Sequence, residues 1–415
     1  MKFPLRTLSL ATLVFSSSAS MAVELSFWSW RVEDKAFYES VAKDYKAASG
    51  VDVKFTAYKN TEYPAVLSSA LASGGGPDII HTRAYGGLAA LSDADYLVPL
   101  NKDNVPNLAP FSESVMVAAM GRKPGDKNTY GVPFATQSLG IFYNKQVLAK
   151  AGIATQPKTW DEFKALCKTL KEKKIACLAN GSKEAPVLEQ MFGVVGPNFY
   201  GGNDFFKGVM AGSKRFTDPG FVKAIEEVVA LKDYMPQNQM GVGENESRVI
   251  FASGGAAYYL TGTWNIDAIR ELNAKAEFDF MPAPPLAVGG PSFVSTFVDG
   301  NYAVNAKSAN RDAALKFVNY LAGKDFGQKF TVELAQASAV PGTKAKDPIL
   351  LNVSDLTGKY GTPFVMLVGF RYQNPNGSVM LRDGIQKLVQ GQGTATTLAA
   401  DIQTGLATWH KPFQK

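Results

Sequence analysis

The run from Tyr130 to Phe163, YGVPFATQSLGIFYNKQVLAKAGIATQPKTWDEF, constrains the fold more than any other. It reads as a strand leaving one folded lobe, a strand entering a second, and a helix opened by Thr159 with Glu162 three residues on, the pattern of a capping box. A chain that crosses between lobes in its middle and later returns builds a cleft with a hinge. At 415 residues it also exceeds the length at which one hydrophobic core stops growing, so two lobes are expected.

The first hundred residues alternate strand and helix. Glu24 to Trp28 is β-prone, and Val32 to Ser49 carries Phe37, Val41 and Tyr45 at helical spacing before Gly50, a C-cap glycine. Val51 to Tyr58 alternates as a strand, Tyr63 to Ser73 is helical, and Asp78 to His81 is a strand after the break Gly74, Gly75, Gly76, Pro77. This order predicts a parallel sheet with right-handed crossovers, whose ligands sit beyond the carboxyl ends of the strands. Those ends fall at Trp30 and Arg31, at Tyr58 to Glu62, and at Thr82 to Tyr85.

The second half repeats the logic. Trp160, Phe163, Leu166, Cys167 and Leu170 form a helical stripe, Ile175 to Leu178 a strand, and Phe221 to Tyr234 a helix, with an aromatic and glycine-rich stretch between the last two. Ala256 to Leu260 is a strand that ends at Trp264 and leads into a helix from Asn265 to Leu272. Met281 to Pro291 reads as a connector, and Ser295 to Val304 as one strand crossing back. Helices over Arg311 to Ala322 and Asp325 to Ala335 then cover the first lobe. After Pro341 the chain returns to the second, ending in helices near Val379 to Val389 and Thr394 to Trp409.

Lys2 and Arg6, the apolar run Leu8 to Phe15, and the small residues to Ala22 stand in secretory order, so 1–22 is expected to be a signal peptide cut after Ala22. No cysteine stands at the new amino terminus after the cut, so no lipid anchor is expected and a free periplasmic protein is predicted. Loss of Lys2 and Arg6 brings the formal charge from +6 to +4, and without a basic run a nucleic-acid surface has no support. Cys167 and Cys177 suit a disulfide in an oxidising compartment, with two buried free thiols as the alternative. With only His81 and His410 to supplement them, no metal site is expected. The glycine run before Pro77 lacks the Lys-Ser/Thr ending of a P-loop, and no nucleophile elbow or catalytic triad emerges, so neither catalytic residues nor a cofactor are assigned.

SFWSW near the mature start, GGGPDIIH, YGVPF with GIFYNKQVLAKAGI and PKTWDEF, TGTWNI, and NYAVNAKSANRDAALKFVNYLAG together resemble family 1 extracellular solute-binding proteins, the group containing the maltose-binding protein. The resemblance covers the mature chain in the right order. It implies an α/β, two-lobed type II periplasmic binding protein, each lobe a central, mainly parallel sheet flanked by helices and joined by hinge crossovers. The lobes would be 23–134 with 299–340, and 135–298 with 341–415. It further implies a monomer that traps a carbohydrate or sugar-like solute and docks on the permease of an ABC importer. In the family the turn after the first strand, the segment after the PDI motif, the crossover after VPF and the tryptophan of the GTW-like turn face ligand. Carried over, these are Trp30 and Arg31, Arg83 and Tyr85, Gln137, and Trp264.

A pyranose offers an apolar C–H face and a rim of hydroxyls, so a sugar cleft needs flat aromatic rings beside planar hydrogen-bonding groups. Trp30, Tyr85 and Trp264 supply rings, and Arg31, Asn60, Glu62, Arg83 and Gln137 supply polar groups. Asp299, Gly300 and Asn301 at the return crossover, and Arg371 in a late loop, complete the candidate set. Two other readings stand beside the importer component: a secreted glycoside-active enzyme, which needs only two suitably placed carboxylates, and a binding protein that feeds a chemoreceptor.

Overall fold

The computed structural model describes residues 23–123 and 125–414; the expected signal peptide, its cleavage point and the absence of a lipid anchor lie outside them. Among the described residues twelve strands appear in chain order: β1 (Glu24–Ser29), β2 (Asp52–Ala57), β3 (Ile79–Arg83), β4 (Val132–Pro133), β5 (Ala135–Asn144), β6 (Ala176–Leu178), β7 (Ala256–Gly262), β8 (Phe278–Met281), β9 (Val294–Val298), β10 (Gly300–Val304), β11 (Ala337–Ser338) and β12 (Gly361–Pro363).

They form two sheets. The first runs β2-β1-β3-β10-β4 and the second β12-β9-β5-β7-β6, with β8 and β11 also on β5. In the first, β1, β2 and β3 are parallel, as the strand–helix alternation predicts, whereas β10 runs antiparallel to β3 and to β4. In the second, β5 is antiparallel to β7 and β9, while β6 lies parallel to β7 and β12 parallel to β9. Both sheets are therefore mixed. The reversed strand is in each case one that arrives from the other sheet, where no helical crossover sets its direction.

The chain passes between the sheets at three points among the described residues. Val132–Pro133 pairs in the first sheet and Ala135 already in the second, so one crossing falls at Phe134. The expected single strand Ser295 to Val304 is two, β9 in the second sheet and β10 in the first, broken at Asp299. A third connection passes through β11, which pairs Ala337 with Thr136 on β5.

The aromatic and glycine-rich stretch left unassigned in the sequence forms two helices, Ala185–Tyr200 and Gly202–Ala211. The first is buried on nearly all sides, from Val187 through Tyr200, and has Pro197 inside it. A helix buried on nearly all sides has no solvent-facing polar stripe to give a period of 3.6, which hides it from pattern reading. Thr159 does cap helix Trp160–Glu172 by accepting from the Glu162 amide at 3.2 Å, but Glu162 reaches back to the Lys158 amide rather than to the cap itself. Inside this lobe Cys167 and Cys177, both buried, form a disulfide with Cα atoms 5.1 Å apart.

Candidate functional site

Between the sheets lies a cleft of about 640 Å³. Its walls are the strand ends that the topology brings face to face. Trp30, Arg31 and Arg83 stand at the ends of β1 and β3, Trp264 follows β7, and Phe297 and Asp299 stand at the end of β9. Helix Ala185–Tyr200 adds Glu189 and Gln190, and the loop and helix after Gly369 add Arg371, Tyr372 and Arg382.

Of the candidate residues read from the sequence, Trp30, Arg31, Asn60, Arg83, Trp264, Asp299 and Arg371 line this cleft. Arg31 is 1% exposed and its donors are spent inside the protein. It pairs with Asp34 at 2.7 Å, Asp299 at 2.7 Å and Glu33 at 3.3 Å, and donates to Gln336 Oε1 at 2.8 Å. Burial alone would lower its guanidinium, but Asp34, Glu33 and Asp299 together hold it well above its ordinary value. The indole of Trp30 is likewise occupied, because the Arg83 guanidinium lies 3.6 Å from its ring centroid. Trp30 is thus a platform for Arg83 rather than an open stacking face. Arg83 also donates to Asn60 Oδ1 and meets Asp299 at 3.5 Å.

Trp264 turns its ring back over the end of β7, which only a glycine allows: a Cβ on Gly262 would lie 1.7 Å from the indole. Its Nε1 donates to Glu244 Oε1 at 2.9 Å and its ring meets Phe297 edge-on. Trp264 lines the cleft along with Phe297 and with Tyr372, whose ring centroid lies 3.9 Å from the Arg122 guanidinium.

The remaining candidates sit elsewhere. Glu62 is exposed and pairs with Lys59 at 3.5 Å. Tyr85 is buried with a φ of 58°, and its hydroxyl accepts from the Val298 amide at 3.1 Å, tying the end of β9 to the first sheet. Gln137 is buried under the cleft, where it accepts from Thr263 Oγ1 at 2.7 Å and donates to Gln336 at 2.9 Å. Gly300 gives Trp30 room, since a Cβ there would lie 2.7 Å from the indole. Asn301 is buried and donates to the Ala118 carbonyl at 3.1 Å. These residues lie on the right segments, but strand pleat alternates side chains between faces, and sequence spacing does not say which face meets the cleft.

The sequence reading missed Glu189, Gln190, Glu244, Phe297, Tyr372 and Arg382, all of which line the cleft. Glu189 and Gln190 ride on helix Ala185–Tyr200, which is buried on nearly all sides, so no amphipathic period marks them. Phe297 sits next to the end of β9, a strand end that becomes visible only once the run Ser295 to Val304 is divided at Asp299. Glu189 is buried, accepts from the Ser378 hydroxyl, and is held above the usual carboxylate range by burial, against the pull of Arg371, Arg382 and Arg83.

The chain resembles proteins already known. Residues 28–328 match the profile of the family described as bacterial extracellular solute-binding protein. The chain is 25% identical to the multiple sugar-binding protein of Streptococcus mutans, over 79% of this chain and 78% of that one. It is 24% identical to the lactose-binding protein of Rhizobium radiobacter, over 78% and 76%. Among solved structures, a chitin oligosaccharide binding protein superposes with a TM-score of 0.78 at 22% identity, covering 94% of this chain and 99% of the other. A solute-binding protein in complex with raffinose does so with a TM-score of 0.74 at 18% identity, covering 93% and 99%. These likenesses fix the two-lobed fold, and the profile match over residues 28–328 makes the chain a member of the bacterial extracellular solute-binding protein family.

Proposed function

We propose that this protein is the exported solute receptor of an ABC importer, that it captures a sugar in the cleft between its sheets, and that it hands the sugar unchanged to the permease. The observation that carries the reading is the composition of the cleft. Trp264, Phe297 and Tyr372 line the same cleft as Arg83, Asn60, Gln190 and Arg371, the pairing of flat apolar and planar polar groups that a pyranose requires. A volume of about 640 Å³ falls in the range of about 300–1,000 Å³ that small-molecule sites occupy. The relatives named for multiple sugars and for lactose support the same class of solute.

In this reading the lobes are 23–134 with 299–340 and 135–298 with 341–415. A monomer closes them about the crossovers at Phe134 and Asp299 and the connection through β11. Ligand drives closure only by contacting the closed form better than the open one, and residues from both walls supply that difference.

The test is calorimetry and thermal shift on the mature protein against a saccharide panel, because a bound solute raises the apparent melting temperature by mass action. Reversible saturable binding with no new reducing ends over hours is the expected result. Steady release of reducing sugar would identify an enzyme, and indifference to every saccharide would end the sugar reading.

A further inference from the structure

The cationic side chains of the cleft are neutralised unevenly. Arg31 is matched by three carboxylates on the cleft floor. Arg371 makes no ion pair among the described residues, and Arg382 reaches only its neighbour Asp383, at 3.5 Å, while its buried Nε has no hydrogen-bond partner. Arg83, on the opposite wall, has a contact of 3.5 Å to Asp299, a carboxylate whose other oxygen serves Arg31.

All three arginines line the one cleft. The backbone at Arg371 packs directly on Gly86, three residues after Arg83, so closely that a Cβ on Gly86 would lie 2.0 Å from the Arg371 carbonyl oxygen. Burial lowers the Arg83 guanidinium to about 10 against the opposing pull of Asp299, with Arg371 and Arg31 lowering it further. Burial lowers Arg371 as well, aided by Arg382. The carboxylate set against all three is Glu189, already bonded by Ser378. Glu244, which also faces Arg83, is engaged by the Trp264 indole. With Asp299 shared, Glu244 occupied and Asp383 only at 3.5 Å from Arg382, the three partly buried guanidiniums outnumber the one carboxylate, Glu189, set against them all, and guanidinium forks are suited to planar or tetrahedral oxyanions.

The geometry points to a saccharide bearing an anionic oxygen group, carboxylate or phosphate, held between Arg83 on one wall and Arg371 and Arg382 on the other. This inference rests on the reading of the chain as a sugar receptor. A neutral sugar would leave the repulsion among the guanidiniums offset by Glu189 and the long contacts to Asp299 and Asp383, whereas an anion would relieve it further.

The mature protein is titrated calorimetrically at low salt with glucuronate, galacturonate and their oligomers, with glucose 6-phosphate, and with glucose, galactose and neutral malto- and cello-oligosaccharides. The expected result is that an acidic sugar binds at least about tenfold more tightly than its neutral parent, as a partly buried charge-assisted pair warrants. The uronate and phosphate arms tell which anion is recognised. Arg371→Gln should collapse the acidic-to-neutral affinity ratio towards one, and Arg371→Lys, which keeps the charge, should retain part of it. Arg382→Gln gives a second reading if the first variant does not fold. Neutral sugars binding as tightly as acidic ones would overturn the inference and leave the sugar receptor standing, as would a ratio that survives both glutamine variants. Failure of every sugar to bind would sink the receptor reading and this inference with it.

Discussion

Arg31 donates from Nη2 to Gln336 Oε1 at 2.8 Å, and that same oxygen accepts from Gln137 Nε2 at 2.9 Å. Gln137 lies just after the crossing at Phe134, Gln336 on the connection through β11, and Arg31 also grips Asp299 at the crossing between β9 and β10. A single buried network thus touches all three connections between the sheets. Gln336→Leu would leave Gln137 Nε2 buried without its acceptor and Arg31 Nη2 with Asp34 alone, at a cost of about 2 kcal/mol. Urea unfolding should show a lower midpoint with an unchanged slope, and an unchanged midpoint would remove the network from the stability of the hinge.

Gly86 is a second contact between the walls, because nothing larger fits against the Arg371 carbonyl. Gly86→Ala should hold the walls apart at this point. Ligand affinity is then expected to fall by more than about tenfold, the equivalent of about 1.4 kcal/mol against closure. Small-angle scattering with ligand present should show a larger radius of gyration than wild type, and an identical compact profile with full affinity would refute the contact's role.

Trp264 combines a packed ring with an indole bond to Glu244. Truncation to alanine would open a core cavity and confound binding with stability, so Trp264→Phe is the sharper variant. It keeps a ring against Phe297 and frees Glu244, and sugar affinity should drop by about tenfold while the fold survives. Full affinity in a titration of this variant would take the indole out of recognition.

Asp267, half-buried in the first turn of helix Asn265–Leu272, is raised to about 6 by burial and by Glu271. Its unfolded value is about 3.9, so the native state holds the proton more tightly, and stability falls as pH rises between about 4 and about 6. Asp267→Asn cannot ionise. Its melting temperature relative to wild type should therefore rise across that window and level off above it, and a flat difference from about pH 4 to about pH 8 would show that the group is not perturbed.

By itself the sequence determined the alternation of β1, β2 and β3 with their helices, the crossing after Val132–Pro133, and the caps at Gly50 and Thr159, because hydrophobic period, turn residues and capping are set by neighbours a few positions apart. It also nominated much of the cleft, since Trp30, Arg83, Trp264, Asp299 and Arg371 stand at strand ends or in loops. Only the tertiary structure decided which of these are free to act. Arg31 is spent on Asp34, Asp299 and Gln336, and Trp30 is covered by Arg83, through partners as far as 305 residues away in the chain. The helix carrying Glu189, the break at Asp299 and the meeting of Gly86 with Arg371 likewise depend on packing between segments distant in sequence, which no local pattern encodes.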